Sequence, residues 1–239
     1  DKLLFARVLD KMAAAERRNI PAATNFLTAR EQALIEPMLK SAGCADFHFF
    51  GGAEGAERAV CCFLPDYLDE SYLSGEDSPI AAVHAAFRAA DAISHRDLLG
   101  SLMGSGIKRE TVGDIYVGEG QCDFLVTREI LPYVLQNVTS AGRAQLSLSE
   151  IGFDAVTVPP VRVQEKRESV STLRLDSIVA AGCNLSRSSA AELIRRGAVT
   201  LEHLPCEKPD KAVAPGSVIS IRGQGRLKLA SVDGTTRKG

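Results

Sequence analysis

Residues 173–229 read LRLDSIVAAGCNLSRSSAAELIRRGAVTLEHLPCEKPDKAVAPGSVISIRGQGRLKL, and their apolar spacing decides how the chain ends. Leu175, Ile178 and Val179 stand at i, i+3 and i+4, which predicts a short amphipathic helix over 174–181, ended by Gly182 and Asn184. Ser186 is an N-cap residue for a second helix over 187–196, with Ala190, Leu193 and Ile194 as its apolar stripe. Gly197 offers the left-handed position after that helix. The pattern then turns to β: 198–201, 211–214, 217–222 and 226–232 are short runs rich in Val, Ile and Leu. Pro215-Gly216 and Gly223-Gln224-Gly225 are turns between them.

Charge marks the same stretch. Residues 171–239 hold eleven Lys/Arg against six Asp/Glu, a formal +5, whereas residues 1–170 hold seventeen against twenty-four, a formal −7. A basic module on an acidic body is the footprint of a phosphate-binding face. Arg174 and Arg187 each stand at a helix start, where a guanidinium fork and free backbone N–H groups can meet the same phosphate. Arg195, with Arg196 beside it, follows on the second helix, Arg195 on the side that carries Ser188. Arg222, Arg226 and Lys228 flank a glycine turn that lets backbone approach a ligand. The bland alternative is a set of solvated surface charges, which most isolated Arg and Lys are.

The stretch resembles, nearly position by position, the small RNA-binding domain named after the fourth protein of the small ribosomal subunit, the S4 domain. The resemblance rests on Arg174-Leu175-Asp176, Ser186-Arg187-Ser188-Ser189-Ala190, Leu193-Ile194-Arg195-Arg196-Gly197-Ala198-Val199 and Pro215-Gly216-Ser217-Val218-Ile219. Arg174 and Arg187 match positions that carry RNA contacts in such domains. One departure concerns the turn after Val199: where the family runs to Asn-Gly, this chain reads Thr200-Leu201-Glu202-His203-Leu204.

The 239 residues suit two or three small domains, and 45% apolar with 24% charged is ordinary for a globular protein. No apolar run of about eighteen residues is present, so no membrane span is expected, and the N-terminus does not read as a signal peptide. The six cysteines include no C-x-x-C, and Cys61-Cys62 are adjacent on a strand and face opposite ways, so neither a disulfide framework nor a zinc site is expected. A reducing cytoplasm is the expected compartment. With no tryptophan and few aromatics, phosphate, sugar and shape contacts should carry RNA binding rather than base stacking.

Residues 1–75 read as a small α+β domain. Leu4, Val8, Met12 and Ala15 mark a first helix that stops before Pro21. Thr28-Ala29-Arg30-Glu31 is a capping box for a second, with Ala33, Leu34, Met38 and Leu39 as its apolar face and Pro37 inside it. Strands are expected at 47–50 and 58–64. The middle segment, 79–150, reads strand 79–88, helix 94–103, a hairpin of 112–117 and 121–127 across Gly118-Glu119-Gly120, helix 128–138 and strand 143–148. That βαββαβ order is the ferredoxin-like sandwich of RRM-like domains. Tyr116 and Phe124 are the aromatics on its hairpin, each equally suited to core or stacking platform. The expected class is therefore α+β: an N-terminal α+β domain, a central ferredoxin-like domain, a linker strand over 151–170 and an S4-like domain over 171–239.

The words His95 to Glu110 and Val112-Gly113-Asp114-Ile115, with Phe26-Leu27-Thr28, Glu57-Arg58 and Leu64-Pro65-Asp66-Tyr67, resemble the bacterial YlmH-type family. Plant and cyanobacterial photosystem II proteins with the same terminal domain are its relatives. The resemblance covers nearly the whole chain. It implies an RNA-binding, non-enzymatic protein of ribosome-associated quality control, with ribosomal RNA and tRNA on the large ribosomal subunit as partners and no cofactor, metal or small-molecule substrate. Lys108 and Arg109, after a Gly-Ser-Gly loop, are candidates for a second phosphate contact, with a charged tight turn as the equal alternative.

Catalytic readings find little support in the letters. Arg174-Leu175-Asp176 has the letters of a pseudouridine synthase motif without the surrounding catalytic domain, and tyrosyl-tRNA synthetase signatures are absent. Gly118-Glu119-Gly120 joins two strands without opening a helix. The histidines are scattered, and Ser101, Ser105, His95 and Asp97 lie along one helix, whereas a triad draws on separated segments. Two alternatives stay open: an RNA-modifying enzyme centred on 79–150, and a scaffold linked to division or photosystem assembly.

Overall fold

The computed structural model of the protein describes residues 1–44, 46–160 and 163–234, and the chain divides into two compact units, Asp1–Val161 and Arg162–Gly239. In the first, α1 (Lys2–Arg18) buries Val8 and Ala15 and ends at Asn19 in the left-handed region, φ 51°. β1 (Ala22–Ala23), unmarked in the sequence, precedes α2 (Ala29–Ser41). The predicted capping box is formed: Thr28 Oγ1 accepts the Glu31 N–H, and the Glu31 carboxylate accepts the Thr28 N–H at 2.8 Å. Of the expected face of α2, Leu39 is fully buried and Ala33, Leu34 and Met38 are half-buried, and Ile35, outside that expectation, is the second fully buried residue. β2 (His48–Phe50) and β3 (Val60–Phe63) complete an antiparallel sheet of order β1-β3-β2.

The next elements are β4 (Ile80–Ala86), α3 (His95–Gly104), β5 (Val112–Val117), β6 (Gln121–Thr127), α4 (Leu131–Asn137), the small hairpin β7 (Ser140–Ala141) and β8 (Ala144–Gln145), and β9 (Ser147–Ile151). Their sheet has the order β5-β6-β4-β9 with every pair antiparallel, which is the ferredoxin-like arrangement. Two boundaries move. A 3-10 turn, Arg128–Ile130, precedes α4, and the last strand begins at Ser147 instead of 143, because Gly142 at φ 56° turns the chain into the β7–β8 hairpin first. Ser149 and Glu150 lie on an exposed edge strand, which carries no apolar alternation to reveal it.

Three apolar clusters show the layering of this unit. The first holds α1 and α2 on one face of β3, through Val8, Ile35, Leu39, Cys61 and Phe63. The second joins the two sheets, through Phe26, Val60, Cys62, Leu73, Ile80, Ala82 and Leu125. The third lies between the four-stranded sheet and α3 and α4, through Val83, Leu98, Leu102, Phe124 and Val134. The order is helices, sheet, sheet, helices. Every side chain of β3 is buried because neither face meets water, and Cys61 and Cys62 point to opposite layers as their alternation requires. Burial pushes the Cys62 thiol up to about 12.

Arg58 pins this stack. Its guanidinium donates to Val112 O at 3.1 Å, Phe26 O at 3.1 Å and Arg109 O at 3.4 Å. Asp114 answers from the other sheet by accepting the Glu57 N–H at 2.6 Å. Gly113 lies where the Phe26 ring crosses: a Cβ there would meet Phe26 Cε1 at 2.7 Å and Leu125 Cβ at 2.8 Å.

In the second unit, α5 (Leu175–Cys183) and α6 (Arg187–Arg195) pack on a sheet of β10 (Val199–Leu201), β11 (Leu204–Pro205), β12 (Val218–Ile221) and β13 (Gly225–Lys228), ordered β11-β10-β12-β13. Leu175, Val179, Ala190 and Ile194 meet Val199, Ile219 and Ile221 in its core. Gly182 does not end α5. It lies inside the helix against Leu227, and Asn184, left-handed at φ 54°, is the terminus. The run 211–214 is not a sheet strand. Lys211 O accepts from Leu175 N at 2.9 Å and Val213 N donates to Leu173 O at 2.9 Å, so it pairs with the approach to α5. Ahead of α5, Lys166 Nζ reaches Ala181 O at 2.6 Å, where the last carbonyls of a helix lack partners.

The turn that departs from Asn-Gly keeps the geometry Asn-Gly would give. Glu202 and His203 have φ 48° and 64° between the paired residues Leu201 and Leu204, the two positive values of a type I′ hairpin. The Glu202 carboxylate accepts the Val218 N–H at 3.1 Å, which anchors the first of them.

Two substitutions test these packings. Gly113→Ala should destabilise the N-terminal unit by about 1–3 kcal/mol through overpacking against Phe26, read from the urea midpoint. His203→Gly should stabilise the C-terminal unit by about 1 kcal/mol by relieving the left-handed backbone, read by calorimetry.

Candidate nucleic-acid interface

α5 carries an acidic residue on a face otherwise given to Leu175 and Val179, and a carboxylate placed there needs partners. Asp176, its side chain 6% exposed, receives two guanidinium groups. Arg174 donates through Nε to Oδ1 and through Nη2 to Oδ2, both at 3.2 Å. Arg187 donates through Nε to Oδ2 at 3.1 Å and through Nη2 to Oδ1 at 3.4 Å. Burial by itself raises the carboxyl pKa, and the hydrogen bonds and charges of Arg187 and Arg174 outweigh it, leaving Asp176 below its ordinary value.

Both arginines keep an open side, with side chains 41% and 49% exposed. Each guanidinium has five N–H donors and spends two on Asp176, so three remain on each. The trio carries a net +1. Arg187 is also the first residue of α6, whose opening N–H groups have no intrahelical acceptor. Ser186 Oγ accepts the Ser189 N–H at 3.1 Å and lies 2.9 Å from Ser188 Oγ. Two guanidinium edges, a helix N-terminus and serine hydroxyls thus gather in one place, donor chemistry that is complementary to a phosphate group.

The other expected contacts lie elsewhere. Arg195 and Arg196 are exposed at the far end of α6, where their charge suits the helix dipole, and Arg196 pairs with Glu192 at 3.0 Å. The register pairs Ser220 with Arg226 and Val218 with Lys228, so Arg226 and Lys228 share a sheet face opposite Ile219, Ile221 and Leu227. Arg222 continues that face one step beyond β12, by strand alternation. Helices α5 and α6 cover the other face. The expected contacts in this unit therefore form two groups, Arg174, Arg187, Arg195 and Arg196 on the helical layer and Arg222, Arg226 and Lys228 on the sheet.

In the N-terminal unit Lys108 and Arg109 part company. Lys108 is exposed after the Gly104-Ser105-Gly106 loop, while Arg109 Nη1 turns inward to Val112 O and Gly113 O. Burial, with Arg58 beside it, lowers the Arg109 guanidinium pKa. Neither hairpin aromatic is a platform. Phe124 is fully buried on the helical side, and Tyr116 is held between the sheets with its hydroxyl 3.4 Å from Asp114. The sheet face that RRM-like domains offer to bases is covered at Ile80, Ala82 and Leu125 by the first sheet and Phe26.

The rejected catalytic letters have structural employment. Asp97 caps α3 by accepting the Ser94 N–H at 2.8 Å, Ser101 Oγ donates to Ser140 O, and Ser105 Oγ donates to Ser101 O at 2.9 Å. Among the described residues no His, Cys, Asp and Glu cluster could hold a metal ion, and no helix is long and apolar enough to cross a membrane. Asp176, named in the sequence only as part of Arg174-Leu175-Asp176, is the residue missing from the expected contacts. Its signal was an acid on the apolar face of a predicted helix, two positions after one arginine.

Comparison with known proteins bears on both units. A family model for the RNA-binding domain in YlmH matches residues 85–155, and the S4 domain model matches residues 173–219. The chain is similar to ribosome-associated protein quality control protein P2 of Bacillus subtilis, with 34% identity over 218 residues that cover 90% of this chain and 82% of that protein. Among solved structures it is similar to the cell division protein YlmH from Streptococcus pneumoniae, with a TM-score of 0.54 and 19% identity over 64% of this chain and 92% of that one. That likeness speaks for the fold. Identity at this level across almost the full length, with both domain models matched in order, places the chain in the YlmH family.

Proposed function

We infer that the protein is a non-enzymatic RNA-binding factor of the ribosome. It engages ribosomal RNA and tRNA on the large subunit, acts in the cytoplasm, and takes part in quality control of stalled peptidyl-tRNA complexes. The observation that carries this reading is the pair of half-exposed guanidinium groups, Arg174 and Arg187, held side by side at the start of α6. The concentration of basic charge in residues 171–239 and the quality-control role in the name of the Bacillus subtilis relative support it. Arg195, Arg222, Arg226 and Lys228 supply further phosphate contacts, and Lys108 supplies one from the N-terminal unit. Covering the ferredoxin-like sheet leaves base stacking without a platform, so affinity should be mainly electrostatic.

Co-sedimentation with large ribosomal subunits, bare and bearing tRNA, across a salt series tests this. Wild type should pellet with them, and log affinity should fall with log salt by about 0.7 for each phosphate contact. Arg174→Ala/Arg187→Ala should be released. Equal pelleting of both proteins, or of neither, would remove the C-terminal unit as the anchor.

Acid should undo the same cluster. The Asp176 pKa is lowered on folding, so its contribution to stability is complete above the unfolded value, about 3.9, and is lost as pH falls through the folded value. Thermal melts of wild type below about pH 4 should therefore lose stability that Asp176→Asn, already lacking the carboxylate, does not lose.

A further inference from the structure

Two like charges on neighbouring helices repel, and without a counterion Arg174 and Arg187 would splay apart into water. Asp176 prevents this in a specific way. Each of its oxygens accepts from both arginines, Oδ1 from Arg174 Nε and Arg187 Nη2, and Oδ2 from Arg174 Nη2 and Arg187 Nε. Both forks are thus engaged side-on, and the Nη1 end of each guanidinium is left uncommitted by the carboxylate. The carboxylate is itself fixed. The Asp176 N–H donates to Pro209 O at 2.9 Å, Ser177 Oγ lies 3.4 Å from Oδ1, and Leu175 and Val179 on either side are fully buried. A rigid acid behind two half-exposed guanidinium groups acts as a jig that sets their spacing and orientation.

We propose that Asp176 is a positioning residue for RNA binding: it holds Arg174 and Arg187 in the arrangement that receives one phosphate group, although its own charge opposes RNA. The proposal rests on the reading of this face as the RNA interface. Its consequence runs against simple electrostatics. Removing an acidic group near a phosphate-binding face should tighten RNA binding by long-range attraction. Removing Asp176 should weaken it, because the ordering of two long side chains must then be supplied at the moment of binding.

The test uses the full chain and a labelled tRNA transcript, with affinities measured across a salt series for wild type, Asp176→Asn, Asp210→Asn and Arg174→Ala/Arg187→Ala. Asp210 is an exposed acid in the same unit, so its substitution makes the same change of charge without touching the arginine pair. Asp176→Asn should bind about tenfold more weakly than wild type, whereas Asp210→Asn should bind equally or more tightly. If the double arginine variant binds as wild type does, the face itself is misassigned and the proposal falls with it. If the double variant is weakened and Asp176→Asn binds as tightly as Asp210→Asn, the interface stands and the positioning role is overturned. Should Asp176→Asn lose its fold by circular dichroism, the wild-type Nε–H resonances of Arg174 and Arg187 decide. Slow solvent exchange in the free protein supports the jig, and exchange as fast as that of exposed Arg222 overturns it.

Discussion

Burial of the ferredoxin-like sheet beneath a second sheet is the constraint from which the rest of the N-terminal unit follows. Ile80, Ala82 and Leu125 occupy the face that would otherwise meet nucleic acid, and Phe26, Val60, Cys62 and Leu73 close over it. The first sheet is sealed in turn by α1 and α2, so a strand of four residues, Val60–Phe63, has no exposed side chain. A short strand with both faces covered gains apolar burial along its whole length. The cost is functional: a sheet used as an internal partition has no surface left on which to stack bases.

Three of the segments that carry the family resemblance in the first unit meet at that partition. Phe26-Leu27-Thr28, Glu57-Arg58 and Val112-Gly113-Asp114 are far apart in the chain and adjacent in space. The Arg58 guanidinium donates to Phe26 O and Val112 O, Asp114 accepts from the backbone of Glu57, and Gly113 makes room for the Phe26 ring. Their distinctiveness comes from the joint between two sheets, where donors, acceptors and ring volume must all match. Arg109 belongs to the same joint, which is why its charge turns inward while Lys108 remains outside.

The C-terminal unit solves the opposite problem. It has a small core and a surplus of positive charge, and it must keep that charge ordered without neutralising it. One buried carboxylate shared by two arginines does so, since a net positive charge survives and a majority of the guanidinium donors stay available. On the sheet side, strand alternation separates Arg226 and Lys228 from the apolar face that receives α5 and α6.

Much of this was legible in the letters. Ser186 and Gly197 bracket α6 as caps do, Thr28 and Glu31 form their box, and the βαββαβ rhythm appears as sheet order β5-β6-β4-β9. These features rest on local chemistry: capping donors, left-handed glycines and apolar spacing act within a few residues. The sequence also determined where the basic charge is concentrated and, through its motifs, which family the chain resembles. Three things were decided by tertiary structure. The last strand, expected at 143–148, runs over Ser147–Ile151, because pairing with β4 supplies the hydrogen bonds that side chains do not advertise. The covering of the four-stranded sheet was invisible, since an apolar strand reads alike whether a helix or another sheet packs on it. The joining of Arg174, Asp176 and Arg187 depends on the packing of α5 against α6, and no spacing rule places a residue at 187 beside one at 176.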